Sequence, residues 1–430
     1  MGLVHVRRWA LAWGNTVAGV TTEAAAILPS RRWAALACVA VALLGAPPLW
    51  AASDTAARAA AAERALTEMR AAFQKGEASR LASLLPQVQG HPLEPLAAYW
   101  ALRVRLDVAS ADDIRLFLTR WRGTYWEDRL RNDWLLLLGA RRDWPTLLQE
   151  VAAFRMNDDA EVRCYTALAR LETGLVAPGD IAAEVRDTWL AQRAAAPGCA
   201  AAAGRLIQAG ALTPDVAWQR ARLGVEAGRL AIATQAVGLL NPEWVPLVER
   251  AYQSPQRYLD DKVTALRHRT KEIVTLALIR LATQDPSAAA EEAAHLRWRA
   301  QLTAEERAWI WGAIGKRAAL RLSDDAVRHF ARADDALLPD DWRAWKVRAA
   351  LRAGDWATVR RTIEHMGDKQ RQDPTWTYWL ARALQASGRP EDAAAAREAY
   401  ARIAGSAGFY EKLAAEALGQ PFTLPPAPPD

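Results

Sequence analysis

A tryptophan–glycine pattern that returns every 34 residues is the strongest constraint on how this chain can fold. Trp376, Trp379, Arg382, Ala383, Gly388 and Glu398 fall on Trp342, Trp345, Arg348, Ala349, Gly354 and Glu364 when the sequence is shifted by that interval. One further step carries Trp345 onto Trp311, and far upstream Trp100 and Trp134 are separated by the same 34 residues. The final copy shows what is repeated. Asp373 can cap a helix start, and Pro374 suits its first position, where no backbone N–H is needed. Trp376, Trp379, Leu380, Ala383 and Leu384 then form one apolar stripe at helical spacing. Gly388 can take the left-handed conformation that ends a helix. Pro390, Glu391 and Asp392 open a second helix, with Ala393, Ala396, Tyr400 and Ile403 as its buried face and Gly405 at its close. Such a hairpin cannot bury its apolar face alone, so copies must stack, as in tetratricopeptide-like α-solenoids. Trp311, Trp342, Trp345, Trp376 and Trp379 are therefore expected to pack hairpin on hairpin, with Gly354 and Gly388 at the turns.

The remainder of the chain also reads as all-α. Ala, Leu and Arg dominate, and no stretch sustains the alternation of a strand. Helix-start signals recur: Ser110 before two aspartates, Thr213 before Pro214 and Asp215, and Thr303 with Glu306 as a reciprocal capping box. Residues 1–53 are different in kind. Arg31 and Arg32 precede an uncharged run of 18 residues from Trp33 to Trp50, and small residues follow at Ala51 and Ser53. This is the pattern of a secretory signal cleaved near Ser53–Asp54. The run also sits at the short limit for a membrane span, so an uncleaved anchor is the alternative, and membrane association is expected only in that case.

The formal net charge of +6 owes half its excess to Arg7, Arg8, Arg31 and Arg32 against Glu23. With no basic run interleaved with aromatics, nucleic-acid binding is excluded. Removal of a signal would leave Cys164 and Cys199, 35 residues apart, or about one repeat. In an oxidising compartment they can form a disulfide; the alternative is two buried thiols. No nucleophile elbow, phosphate-cradling glycine loop or dinucleotide fingerprint is present, and the six histidines show no metal spacing. No catalytic residue, metal or cofactor is therefore expected. The acidic pairs Asp112–Asp113, Asp158–Asp159, Asp260–Asp261, Asp324–Asp325, Asp334–Asp335 and Asp340–Asp341 mostly stand where a helix begins, which suits capping and the helix dipole better than acid catalysis. The 20 tryptophans could stack on sugars. At repeat positions, however, they are read as core, and so are Trp121, Trp126 and Trp144.

Five segments carry a family resemblance. HPLEPLAAYWALRVRL (91–106), RNDWLLLLGARRDWPTLL (131–148), DWRAWKVRAALRAGDWATV (341–359), WTYWLARALQASGRPEDA (376–393) and GFYEKLAAEALGQP (408–421) together resemble the soluble lytic murein transglycosylases, in the same order, from about residue 60 to the end. The resemblance implies a right-handed α-superhelix of short hairpins curved into a ring, a small helical linker domain, and a lysozyme-like catalytic domain. It also implies a periplasmic enzyme that cleaves the N-acetylmuramic acid–N-acetylglucosamine bond of peptidoglycan and leaves a 1,6-anhydromuramic end. One glutamate would act as acid and then base, within a Glu-Ser motif followed by Gly-Leu-Met-Gln. This sequence has neither motif: no Glu is followed by Ser, and Met69, Met156 and Met366 lie in other contexts.

The expected organisation is thus a signal or N-terminal extension in residues 1–53, an α-superhelical domain in 54–405, and the start of a linker domain with a Pro-rich tail in 406–430. The chain would be the non-catalytic arm of such an enzyme, a truncated or partial copy inactive alone. Its partners would be peptidoglycan glycan strands and the missing catalytic domain. The alternative is a free-standing exported scaffold that binds a protein or peptide. Phe409, Tyr410, Leu413 and Leu418 look like an apolar face awaiting a partner, which favours the first reading.

Overall fold

The computed structural model describes residues 49–261, 264–405 and 407–421. Helix is the only regular secondary structure among them. The expected leader up to residue 48 and the Pro-rich residues 422–430 lie outside the described residues. No described helix is long and apolar enough to cross a membrane.

Two compact units are present, one ending at Ala101 and one beginning at Leu102. In the first, the helix Leu49–Lys75 packs against Ala78–Leu84 and the 3-10 turn Leu85–Val88. Met69, Leu81 and Val88 are fully buried there, and Phe73 stacks on Trp100 with ring centroids 5.8 Å apart.

The second unit is built of stacked helical hairpins. The helix Asp215–Glu226 packs on His268–Gln284, that helix on Ala304–Leu320, and that one in turn on Asp340–Ala353. Each is paired with a shorter partner, respectively Leu230–Leu240, Pro286–Ala293, Ala326–Phe330 and Trp356–Glu364. One apolar core runs from Cys164 to Ala349, and two smaller ones continue it toward the C-terminus. The long helices are apolar on more than one side because each is covered by neighbours before and after it in the stack.

Local signals behave unevenly. The Ser110 hydroxyl accepts from the Asp113 N–H at 3.0 Å, and Thr303 and Glu306 form the reciprocal capping box. Thr213 does not cap with its side chain. Pro214 stands at the cap position of the helix Asp215–Glu226, and Thr213 instead accepts the Val216 N–H through its backbone carbonyl. Asp260 and Asp261 end a helix rather than begin one.

In the last hairpin Asp373 accepts the Thr375 N–H at 2.9 Å, and Gly354 and Gly388 both adopt left-handed backbone, with φ of 69° and 71°. The helix Pro374–Ala386 buries Trp376 and Ala383 against the preceding hairpin, but also Tyr378, Ala381 and Leu384 against its own partner helix Pro390–Ile403. On the helix Pro390–Ile403 the buried face comprises Ala396, Ala399, Tyr400 and Ile403; Ala393 is exposed and Asp392 is buried in its stead. Asp392 tolerates this because its carboxylate accepts from the Ser387 hydroxyl at 2.6 Å and from Arg389 and Arg360 at 2.8 and 2.9 Å. Those contacts, the Ser387 bond foremost, hold the carboxyl below its usual range.

Close approach along the Ala304–Leu320 helix depends on Gly312 and Gly315. A Cβ on Gly315 would lie 2.7 Å from the Phe330 ring, and one on Gly312 would lie 2.5 Å from Leu338 and 2.7 Å from Trp342. These rings seat directly on the helix backbone. Gly315→Leu is expected to lower unfolding stability by about 1–3 kcal/mol through forced repacking. Urea unfolding would measure it, and a variant as stable as the parent would show that the Phe330 contact is loose.

Candidate functional site

The repeat tryptophans separate into two sets. Trp311, Trp342 and Trp376 are buried, whereas Trp345 and Trp379 are half-buried. Trp342 lies under the Ala304–Leu320 helix, edge-on to Trp309 with centroids 5.0 Å apart. Three residues further on, Trp345 reaches a groove between successive hairpins. The groove has a volume of about 390 Å³, and its walls include Leu322, Asp324, Val327, Trp345, Arg348 and Arg352. This volume is in the range of small-ligand sites. The Arg348 guanidinium sits 4.9 Å from the Trp345 ring and 5.2 Å from the Trp376 ring, so it bridges two repeats by cation–π contact. Arg352 pairs with Asp324 at 3.1 Å on the rim. Leu322 is 66% exposed and is held at φ 58°, a left-handed conformation that a leucine adopts only under constraint. The groove thus has an apolar floor and a rim of guanidinium and carboxylate groups.

The other aromatics read as core are intermediate: Trp121, Trp126 and Trp144 are all half-buried. Cys164 in the helix Ala160–Glu172 and Cys199 in Pro197–Gln208 are joined, with Cα atoms 4.8 Å apart, inside the usual disulfide range. Phe409, Tyr410, Leu413 and Leu418 do not form an open face. Tyr410, Leu413 and Leu418 pack on the last hairpin, and Phe409 alone is left 70% exposed. The reason is the short link from Ile403 to Phe409, which returns the final helix onto the one it follows.

Buried charge was invisible to the sequence reading. Arg222 and Glu272, both almost wholly enclosed, form a bidentate pair at 2.7 and 3.1 Å, and Arg222 also donates to Glu305 at 2.9 Å. Burial pushes the Glu272 carboxyl above its usual value, and the Arg222 guanidinium pulls it back only in part. Lys316 and Arg317 converge on Glu226 at 3.1 and 2.8 Å. The ligand atoms of His268, Glu272 and Glu306 lie within 4.8 Å of one another. Both Glu272 oxygens are taken by Arg222, and Glu306 accepts the Thr303 N–H at 2.7 Å, so these carboxylates serve the packing rather than a cation.

Comparison with known proteins gives the relationship. No protein-family model matches the chain. It is 23% identical over 370 residues to the soluble lytic murein transglycosylase of Salmonella typhimurium, covering 83% of this chain and 55% of that protein. It is 22% identical over 368 residues to the protein of the same name from Escherichia coli K12, with the same shares. The chain thus spans little more than half the length of the curated relatives it matches. Among solved structures it is similar to the lytic transglycosylase Slt of Pseudomonas aeruginosa, with 26% identity, 84% of this chain and 58% of that one covered, and a TM-score of 0.48. By sequence, this chain is a relative of the soluble lytic murein transglycosylases.

Proposed function

We propose that this chain is the non-catalytic superhelical part of a periplasmic soluble lytic murein transglycosylase, and that it holds peptidoglycan glycan strands for a catalytic domain that lies elsewhere. The observation that carries the reading is the extent of the similarity, 83% of this chain against 55% of the relative. The Trp345 groove supports it by offering an apolar floor and polar rim of sugar size. Residues 1–53 would then be the export signal, 54–405 the superhelical domain and 406–430 the start of the linker. Export to an oxidising compartment would keep Cys164 and Cys199 as a disulfide.

Purified chain mixed with isolated sacculi is expected to co-sediment with them and to release no 1,6-anhydromuropeptides. Release of such products would overturn the non-catalytic reading, and failure to co-sediment would overturn the glycan-holding role. A second reading, a free-standing exported scaffold for a protein or peptide, is favoured by one feature. The Phe409–Ala417 helix covers the last hairpin as a capping helix does, so the stack does not end on an open apolar face.

A further inference from the structure

A second cavity of about 570 Å³ is lined by Ala294, Arg299, Arg307, Trp311 and Arg332. Three guanidinium groups face one space with no carboxylate among the lining residues. Each is placed by a different device. Arg332 lies 4.3 Å from the Trp311 ring centroid, and His329 stacks on the same ring at 6.0 Å. Burial pushes the His329 imidazole below its usual value, so at neutral pH it adds no further charge. Arg307 is tethered through Nη1 to the Arg299 carbonyl at 3.3 Å and to the Leu302 carbonyl. Arg299 projects from the short helix Leu296–Gln301. Asp325, the acid that acts on His329, is engaged by Arg328 at 2.7 Å.

Elsewhere in this protein arginines meet carboxylates: Arg222 meets Glu272, Arg131 meets Glu127 and Glu150, and Arg317 meets Glu226. Among the described residues, Arg299 and Arg332 have no such partner. Three like charges around one cavity repel one another, and an anion entering between them relieves that repulsion while taking up free N–H donors in fork geometry. The aromatic wall and Ala294 leave room for an apolar portion beside the anionic group.

We infer that the Arg299–Arg307–Arg332 cavity binds a carboxylate-bearing ligand, and that its occupant is the free peptide-stem carboxylates of a muramyl peptide. This rests on the reading that the chain holds peptidoglycan. The cavity would read the charged stem while the Trp345 groove takes the uncharged sugar, so a strand would be gripped at two chemically distinct points.

The test is calorimetric titration of the 430-residue chain with a disaccharide tripeptide of N-acetylglucosamine and N-acetylmuramic acid, with the same compound carrying amidated carboxylates, and with inorganic phosphate. The expected result is binding of the native compound, at least tenfold weaker binding of the amidated form, and phosphate competing only weakly. Arg299→Gln with Arg332→Gln is expected to lose at least tenfold for the native compound; both residues are exposed and neither meets a carboxylate, so circular dichroism should show an unchanged helical fold. Equal binding of native and amidated compounds, or an unaltered double variant, would overturn the inference while leaving sacculus binding intact. Phosphate competing as well as the muropeptide would reduce the cavity to a general anion site and overturn the assignment of its occupant. Loss of sacculus binding by the parent chain would instead strike the functional reading itself.

Discussion

Replacing Arg222 with alanine is expected to cost about 3–5 kcal/mol of unfolding stability. The cost arises from what is left behind. Glu272 is almost fully enclosed, with the Arg222 guanidinium as its bidentate partner at 2.7 and 3.1 Å. Without that guanidinium the carboxylate must remain charged in an enclosed site beside Glu306 and His268, or take up a proton. Glu272 is already held above its ordinary carboxyl value by burial, so the folded state binds its proton more tightly than the unfolded chain does. Stability contributed at this site therefore falls as pH rises from the ordinary carboxylate range through the raised value. Loss of Arg222 raises the value further, and the deficit of the variant should shrink on acidification from about pH 7 to about pH 5. Arg222→Leu combined with Glu272→Leu should recover most of the loss, because two apolar side chains leave no buried charge to satisfy. Urea unfolding of the three variants at both pH values decides the matter. A deficit independent of pH, or a double variant no better than Arg222→Ala, would mean that packing rather than charge governs this position.

A second large effect is expected from Cys164 and Cys199. A cross-link enclosing 35 residues restricts the unfolded chain by an amount worth about 4 kcal/mol in the loop-entropy description. Reductant should lower the unfolding midpoint of the parent chain and leave a Cys164→Ser, Cys199→Ser variant unmoved. Free thiols found by mass spectrometry in protein purified without reductant would dispose of the disulfide. The structural setting favours its formation: both cysteines are buried in one core, on neighbouring helices that pack on each other.

How much of this was readable in the residues depends on the range of the interaction. Short-range signals were legible, since a cap, a proline at a first turn and a glycine at a left-handed terminus act within four or five residues. Asp373, Pro374 and Gly388 are of that kind. Ala393 was misjudged because an alanine carries little information about facing; Asp392 displaced it once Arg360, 32 residues earlier, supplied a partner. Long-range pairs were opaque for the same reason. Arg222 finds Glu272 and Glu305 at separations of 50 and 83 residues, and no spacing rule connects such positions.

The repeat was most visible near the C-terminus, where hairpins keep a constant length, with one further Trp100–Trp134 interval upstream. Upstream the extra helices Val245–Gln253, Pro255–Asp260 and Leu296–Gln301 break the 34-residue register. The Trp345 groove was half legible: periodicity located its tryptophan, while Leu322 and Arg352 came together only through stacking. The arginine cavity carried no signal in the sequence, because its members are spread over Arg299–Arg332 in a chain rich in arginine.

The ion pairs around the Asp215–Glu226 helix have a consequence for how the array comes apart. In an ideal solenoid each unit touches only the next, and unfolding can proceed as a zipper from either end. Here Arg222 and Glu226 reach past the intervening His268–Gln284 helix to Glu305, Lys316 and Arg317 on the helix beyond it. Three successive long helices are thereby coupled two steps apart. The centre of the array should behave as one cooperative block, with fraying confined to the hairpins outside it, and a force applied at one end would meet a stiff middle rather than a uniformly compliant spring.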